Sequence, residues 1–278
     1  MSRSRRSPGR RLAGAGVTAF TWMIVLLAFL PVLWMVFTSF KSESDAATNP
    51  PSLFVPLSFD RYVEAFDRGI AGNLLNSVTV SVLSTVIVIL LAIPVGYALA
   101  FRPGPRATDI LFYFISTRFL PVAVAAIPIY LLLLSIGGLD KVGWLIVLYL
   151  GMNLPLAIWM MRSFFAEVPA EIIEAAQVDG ANVRTELTRI AVPIVAPGIA
   201  AAALICFIFA WNEYFLANLL TATVGRTTPP ILGSFVDGRG QFVAVLSAAS
   251  TIAILPVVIA GWFAQKQLVR GLAMGAIK

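Results

Sequence analysis

Histidine is absent from this 278-residue chain, and cysteine occurs once, as Cys206. That removes histidine proton relays, histidine metal ligands and Ser-His or Cys-His nucleophile pairs. A single cysteine forms no intrachain disulfide. No G-x-x-x-x-G-K-[ST] occurs, so the chain has no P-loop of its own. The chemistry that remains is that of docking. Glu171 and Glu174 stand three residues apart, with Glu167 just ahead, and Arg184, Glu186 and Arg189 follow in the same polar stretch. At helical spacing Glu171, Glu174 and Val178 share a face. Arg118, Asn212 and Glu213 are polar residues set inside apolar runs.

The paired carboxylates need a helix to aim them. Pro169 suits a first helical turn, where its missing N–H costs nothing. From there to Val178 the residues are mostly good helix formers, without internal Gly or Pro. Gly180 suits the left-handed position that ends a helix. Ile172, Ala175 and Ala176 would make a neighbouring apolar face. A second short helix is expected from Asn182 to Ile190, with Pro193 marking entry to the next apolar run. A two-sided helix, a glycine turn and a second helix can lie on a membrane surface and present themselves to a partner's groove.

The surrounding chain is membrane material. It is 59% hydrophobic and 12% charged, with a mean hydropathy of +0.89. A soluble domain carries about 25% charged residues. The length allows around six spans of about twenty residues. They are expected at Val17–Phe40, Leu74–Phe101, Ile110–Ile136, Val142–Met161, Ile194–Leu220 and Phe242–Ala264. Residues 1–16 read as a flexible basic tail, 17–264 as the membrane domain and 265–278 as a second tail. The polar stretch with the paired carboxylates occupies 162–193. A short surface helix is expected over Phe59–Ile70, with Tyr62, Phe66 and Ile70 on one side. Pro229-Pro230 reads as a break, and Pro94, Pro121, Pro128, Pro155 and Pro256 as kinks. Six spans put both termini on one side. That side holds thirteen Lys and Arg, including Arg3, Arg5, Arg6, Arg10 and Arg11, against six on the other. The termini and the 162–193 stretch are therefore expected in the cytoplasm, and residues 41–73 outside. The net charge of +6 is largely this topological bias and not a nucleic-acid signal.

Glu174, Ala175 and Ala176, then Gly180, Ile190 and Pro193, resemble the E-A-A…G…I-x-aliphatic-P loop of ABC importer permeases. Asp179 falls inside the same loop. Val192 departs from the pattern, where the family more often has Leu. Leu30-Pro31 through Lys41, Phe209–Tyr214 and the ending Leu268–Lys278 resemble the maltose-permease-like carbohydrate branch, so the resemblance covers nearly the whole chain. It implies an all-α, six-helix type I permease fold with a cytoplasmic coupling helix, in a prokaryotic inner membrane. It implies a second permease, two ATPase subunits that hold ATP and Mg, and an extracytoplasmic solute-binding protein. Glu174, Ala175, Ala176, Asp179, Gly180, Ile190 and Pro193 would then meet the ATPases. Arg270, Gly271, Met274 and Lys278 in the tail would touch them as well. The chain itself would hold no cofactor and catalyse nothing.

In the fifth span, Phe207, Trp211, Tyr214 and Asn218 are expected on one helical face, with Ile208, Asn212 and Phe215 beside them. Aromatic rings beside an amide suit a sugar, whose C–H faces pack on rings while its hydroxyls bond the amide. The alternative for each ring is packing or an interfacial belt. Glu213 reads either as a polar contact on the pathway or as an interhelical hydrogen bond. Arg118, about 12 Å into its span at roughly 1.5 Å per residue, snorkels, pairs with a carboxylate or carbonyl, or lines the pathway. Three transport or catalytic classes compete. A secondary transporter would usually show repeats and ionisable residues arranged for ion coupling. A membrane enzyme would need a catalytic constellation facing one leaflet. Neither is visible. An ABC importer for another small solute is the nearer alternative.

Overall fold

The computed structural model describes residues 8–236 and 242–275, with side chains described over 16–236 and 242–266. All regular elements among the described residues are helical. In chain order they are α1 (Pro8–Thr38), α2 (Glu43–Ala46), α3 (Asp60–Asp67), α4 (Ile70–Phe101), α5 (Ala107–Ser116), α6 (Val122–Ser135), α7 (Val142–Ala166), α8 (Ala170–Val178), α9 (Val183–Thr185), α10 (Val192–Trp211), α11 (Phe215–Leu220), α12 (Thr228–Ser234) and α13 (Val243–Gly275). Among the described residues, five helical segments are long and apolar enough to cross a membrane: Gly16–Thr38, Ile70–Phe101, Val142–Ala166, Val183–Trp211 and Val243–Lys266. A sixth span exists if α5, the 3-10 turn Thr117–Phe119 and α6 are taken together, bent by 84°.

The chain divides into two compact units, Met1–Arg68 with Phe235–Ile252, and Gly69–Ser234 with Ala253–Lys278. In the first, no part of the most apolar stretch of α1 is buried, so its apolar surface is left for lipid or another chain. Lys41 is 1% exposed. Its Nζ donates to the Ser52 carbonyl at 2.6 Å and lies 4.5 Å from the ring centres of Trp34 and Phe37. A buried ammonium is tolerable because an acceptor and two ring faces replace water. Glu43 accepts from the Ala244 and Val245 N–H groups at 2.9 and 2.8 Å. It thus meets the orphan donors and positive end of α13.

In the second unit α4 and α7 form the tightest pair, and α10 packs on both. A Cβ on Gly96 would lie 2.5 Å from Met161 Cβ and 2.9 Å from the Arg162 nitrogen. Glycine is what lets the two backbones approach there. Tyr97, Phe165, Ile158, Ala157 and Val88 fill the seam. At the other end of α7, the Asp140 carboxylate accepts the backbone N–H groups of Ala222, Thr223, Val224 and Gly225 and the Thr223 hydroxyl. Burial pushes its carboxyl up, but these donors outweigh burial and hold it well below the usual range.

Several expected boundaries shift. The basic tail is helical from Pro8, since extending an existing helix needs no new nucleus; residues 1–7 lie outside the described residues. The surface helix ends at Asp67, and Gly69 at φ +86° turns the chain so that Ile70 opens α4 and is fully buried. The third span is not one helix: Pro121 stands in extended backbone between the two bent halves. The Pro229-Pro230 pair starts α12 instead of breaking the chain, as proline can in a first turn. Pro94, Pro128, Pro155 and Pro256 do lie inside helices. The last span runs on to Gly275, through most of the expected tail.

A candidate coupling loop and a candidate pathway

The polar stretch after α7 folds as a short helix, a tight turn and a helical re-entry. Pro169 caps α8, and after nine helical residues Asp179 closes it. Gly180 adopts φ +82°. Its N–H donates to Gln177 and the Ala181 N–H reaches back to Ala176, at 3.0 and 2.9 Å. These two bonds are the paired Schellman closure of a helix C-terminus. Asn182 then caps the next turn, its Oδ1 accepting from the Thr185 N–H at 2.9 Å.

The inward face of α8 is Ile173 and Ala176, at 3% and 8% exposed, beside Val168. The expected apolar face of Ile172, Ala175 and Ala176 is therefore wrong for two of its three residues. Ile172 and Ala175 face out with Glu171, Glu174, Gln177, Val178 and Asp179. Val178 is 88% exposed. A helix of nine residues buries one narrow stripe, and the i, i+3 pair of Ile173 and Ala176 takes it, Ile173 in the same buried cluster as Phe165 and Val168. The outward side mixes three carboxylates with exposed aliphatics.

The second short helix does not stand apart. After Val183–Thr185 the chain takes one π-helical segment, Glu186–Ala191, and passes into α10 without a break. Pro193 cannot donate to the carbonyl four residues back, and a widened turn relieves its clash with that carbonyl. Ile190 and Leu187 pack against the core of the second unit, while Pro193 is exposed.

Glu186 is the residue that reading the sequence missed. It is 1% exposed. The Tyr97 hydroxyl donates to its Oε2 at 2.5 Å, and Arg102 Nη2 to both its oxygens at 3.2 and 3.1 Å. Gln177 Nε2 approaches the same Oε2 at 3.5 Å. Nothing local announces this, because Tyr97 and Arg102 come from the end of α4.

The expected pathway residues are brought together only in part. α10 ends at Trp211, which is buried and stacked on Phe207, with ring centres 5.7 Å apart. The expected face running on to Tyr214 and Asn218 does not exist. Asn212 closes α10, its amide donating to the Ile208 carbonyl at 2.9 Å and its side chain exposed. Glu213 turns the chain: its carboxylate accepts the Leu216 and Ala217 N–H groups that open α11, and the Tyr149 hydroxyl at 2.8 Å. The interhelical hydrogen bond is thus present. Tyr214 and Phe215 are exposed. Arg118 has the carbonyl partner that was one of its expected roles. Its Nη1 donates to the Met152 carbonyl at 2.6 Å, in mid-α7, and its guanidinium lies 5.4 Å from the Phe209 ring centre. Arg270, Gly271 and Met274 fall in the last turns of α13, where side chains are outside the described residues, as is Lys278 entirely.

Several helices long and apolar enough to cross a membrane, with an exposed acidic helix between two of them, define a multi-span helical membrane protein. The chain belongs to the family of binding-protein-dependent transport system inner membrane components, whose model matches residues 92–273. It is 33% identical to "Probable ABC transporter permease protein y4oR" of Sinorhizobium fredii, over 92% of this chain and 93% of that one. It is 32% identical to "Trehalose transport system permease protein SugB" of Mycobacterium tuberculosis, over 92% and 94%. The fold is similar to a chain in the crystal structure of a bacterial ABC transporter involved in the import of the acidic polysaccharide alginate. That match has a TM-score of 0.74 and 22% identity, and covers 95% of this chain and 99% of the other. The family places the chain in the inner membrane as a transport component, not an enzyme.

Proposed function

We propose that this chain is one of two permease subunits of an ATP-driven importer for a carbohydrate, whether sugar, oligosaccharide or polyol, working by alternating access. The observation that carries the coupling half is α8. Its outward face offers Glu171, Glu174, Ile172 and Val178, and Gly180 sets its angle to the re-entering helix. A short helix that buries so little needs a docking partner to hold it. The partner is an ATPase subunit in the cytoplasm, carrying the ATP and Mg; two such subunits and an extracytoplasmic solute-binding protein complete the assembly. Closure of the ATPases moves α8, and the bundle opens outward in response. In this reading 17–264 is the permease domain, with its coupling loop over 162–193. Both termini are cytoplasmic, and 265–278 touches the ATPases through Arg270, Gly271, Met274 and Lys278. The carbohydrate assignment is supported by the trehalose-system relative. It is also supported by the exposed Asn212, Tyr214 and Phe215, which can offer an amide and rings to a sugar.

The test is the reconstituted complex with wild-type chain and Glu174→Lys. Reversing one charge in a desolvated contact should weaken ATPase co-purification by about 2–5 kcal/mol while membrane insertion stays normal. ATPase stimulation across a sugar panel then reads the substrate. Undiminished co-purification and transport by Glu174→Lys would refute the docking role; stimulation by no sugar but by another solute would refute the carbohydrate assignment.

A further inference from the structure

The reading of α8 as the ATPase seat leaves open how its motion reaches more than one span. Along the backbone, α8 connects to α10 through the Gly180 turn and the π-helical segment Glu186–Ala191. Both are slender joints: the turn rests on two hydrogen bonds at one glycine, and the π segment is a short irregularity in the helix. A push on α8 transmitted only this way would be absorbed there.

Glu186 supplies a second route. Its carboxylate, sealed from water, is held by Tyr97 near the end of α4, by Arg102 at the cap of α4 and at longer range by Gln177 of α8. Three segments thus meet on one anion. The end of α4 is in turn locked to α7, through the Gly96–Met161 backbone approach and the Tyr97 ring set edge-on at 5.7 Å to Phe165. A buried charge bound on both oxygens cannot slide, because any displacement strands it without a partner. An apolar side chain would hold the packing as well or better, so an acid here points to fixed geometry more than to stability.

We infer that Glu186 is a positioning residue: it fastens the coupling loop to the α4–α7 pair, so that α8, α4 and α7 move as one body when the ATPases close. Without it the ATPases still dock and still cycle, but the motion spends itself in the loop.

The experiment uses the reconstituted complex of wild type, Glu186→Gln and Arg102→Ala. Arg102 is 45% exposed, so its removal tests the same fastening without opening a buried site. The expected result for Glu186→Gln is normal insertion and ATPase co-purification, with transport per ATP hydrolysed reduced about tenfold. Arg102→Ala should move the same ratio in the same direction, by less. A second readout is the distance between spin labels on cysteines at Ala98 of α4 and Ala170 of α8, with Cys206 replaced by Ser. In wild type it should stay constant on adding ATP; in Glu186→Gln it should change. An unchanged transport-to-hydrolysis ratio in both variants, or a wild-type label distance that shifts with ATP, overturns the inference. So does loss of ATPase co-purification by both variants, which makes the network a folding or docking element. Retained ATPase binding by Glu174→Lys, measured alongside, would fault the α8 assignment and not Glu186.

Discussion

Gly180→Val isolates the angle between α8 and the chain that follows it. Gly180 stands at φ +82°, and a Cβ there would meet nothing within 4 Å. The penalty is therefore conformational and involves no clash. A valine that keeps the left-handed turn costs roughly 1–2 kcal/mol. A valine that leaves the turn loses the Gly180–Gln177 and Ala181–Ala176 bonds, at roughly 1 kcal/mol each. Either route costs about 1–2 kcal/mol, a population shift of about 5–30-fold. On a helix of nine residues that shift re-aims the docking face instead of unfolding a span. Gly180→Asn is the control, because asparagine visits the left-handed region readily. In the reconstituted complex, Gly180→Val should insert normally yet hydrolyse ATP without transport, or not at all, while Gly180→Asn should retain most transport. Equal transport by the valine and asparagine variants would refute the reasoning, since their unequal tolerance of the left-handed conformation should separate them.

Three other outcomes are expected. Asp140→Ala should lower the stability of the detergent-solubilised protein by about 2 kcal/mol at pH 7, after discounting for its partial exposure. Its carboxyl is depressed in the fold, so its contribution is fully present above the unfolded value of about 3.9 and is lost only as pH falls below that. The difference in melting temperature from wild type should therefore be the same at pH 7 and pH 5; a gap already closed at pH 5 contradicts the cage. Asn212→Ala should impair transport more than assembly, because its exposed amide is bound only to the carbonyl four residues back; normal rate and apparent affinity would remove it from the pathway. Cysteines placed at Ser7 and Ser44 should label unequally with an impermeant reagent in intact cells, Ser44 reacting and Ser7 protected, and equal labelling would remove the proposed topology.

What could be read along the chain was whatever depends on neighbours in sequence. Apolar runs announce spans because the bilayer demands a continuous stretch of apolar residues. The C-terminus of α8 was legible because a left-handed closure depends on one glycine and the residues just before it. The broken third span was half legible: Pro121 marks a place where a helix can fail, but the bend depends on what each half packs against. The fifth span was misread for a similar reason. No proline or glycine stands between Phe207 and Leu220, yet α10 stops at Trp211, because Glu213 satisfies the first donors of α11 and the Tyr149 hydroxyl of another helix.

By itself the sequence determined a multi-span helical protein without histidine chemistry, and an acidic, glycine-ended helix between two of its spans. Those follow from composition and from spacings of a few residues. Only the tertiary structure decided which face of α8 turns outward, that Arg118 is held by Met152, and that Glu186 is buried at all. Tyr97 and Glu186 are 89 positions apart. Charge alone would place such an acid in water. It is the close packing of α4 on α7 that sets a hydroxyl and a guanidinium where a buried carboxylate can be satisfied, and a contact between distant elements leaves no periodic trace in the chain.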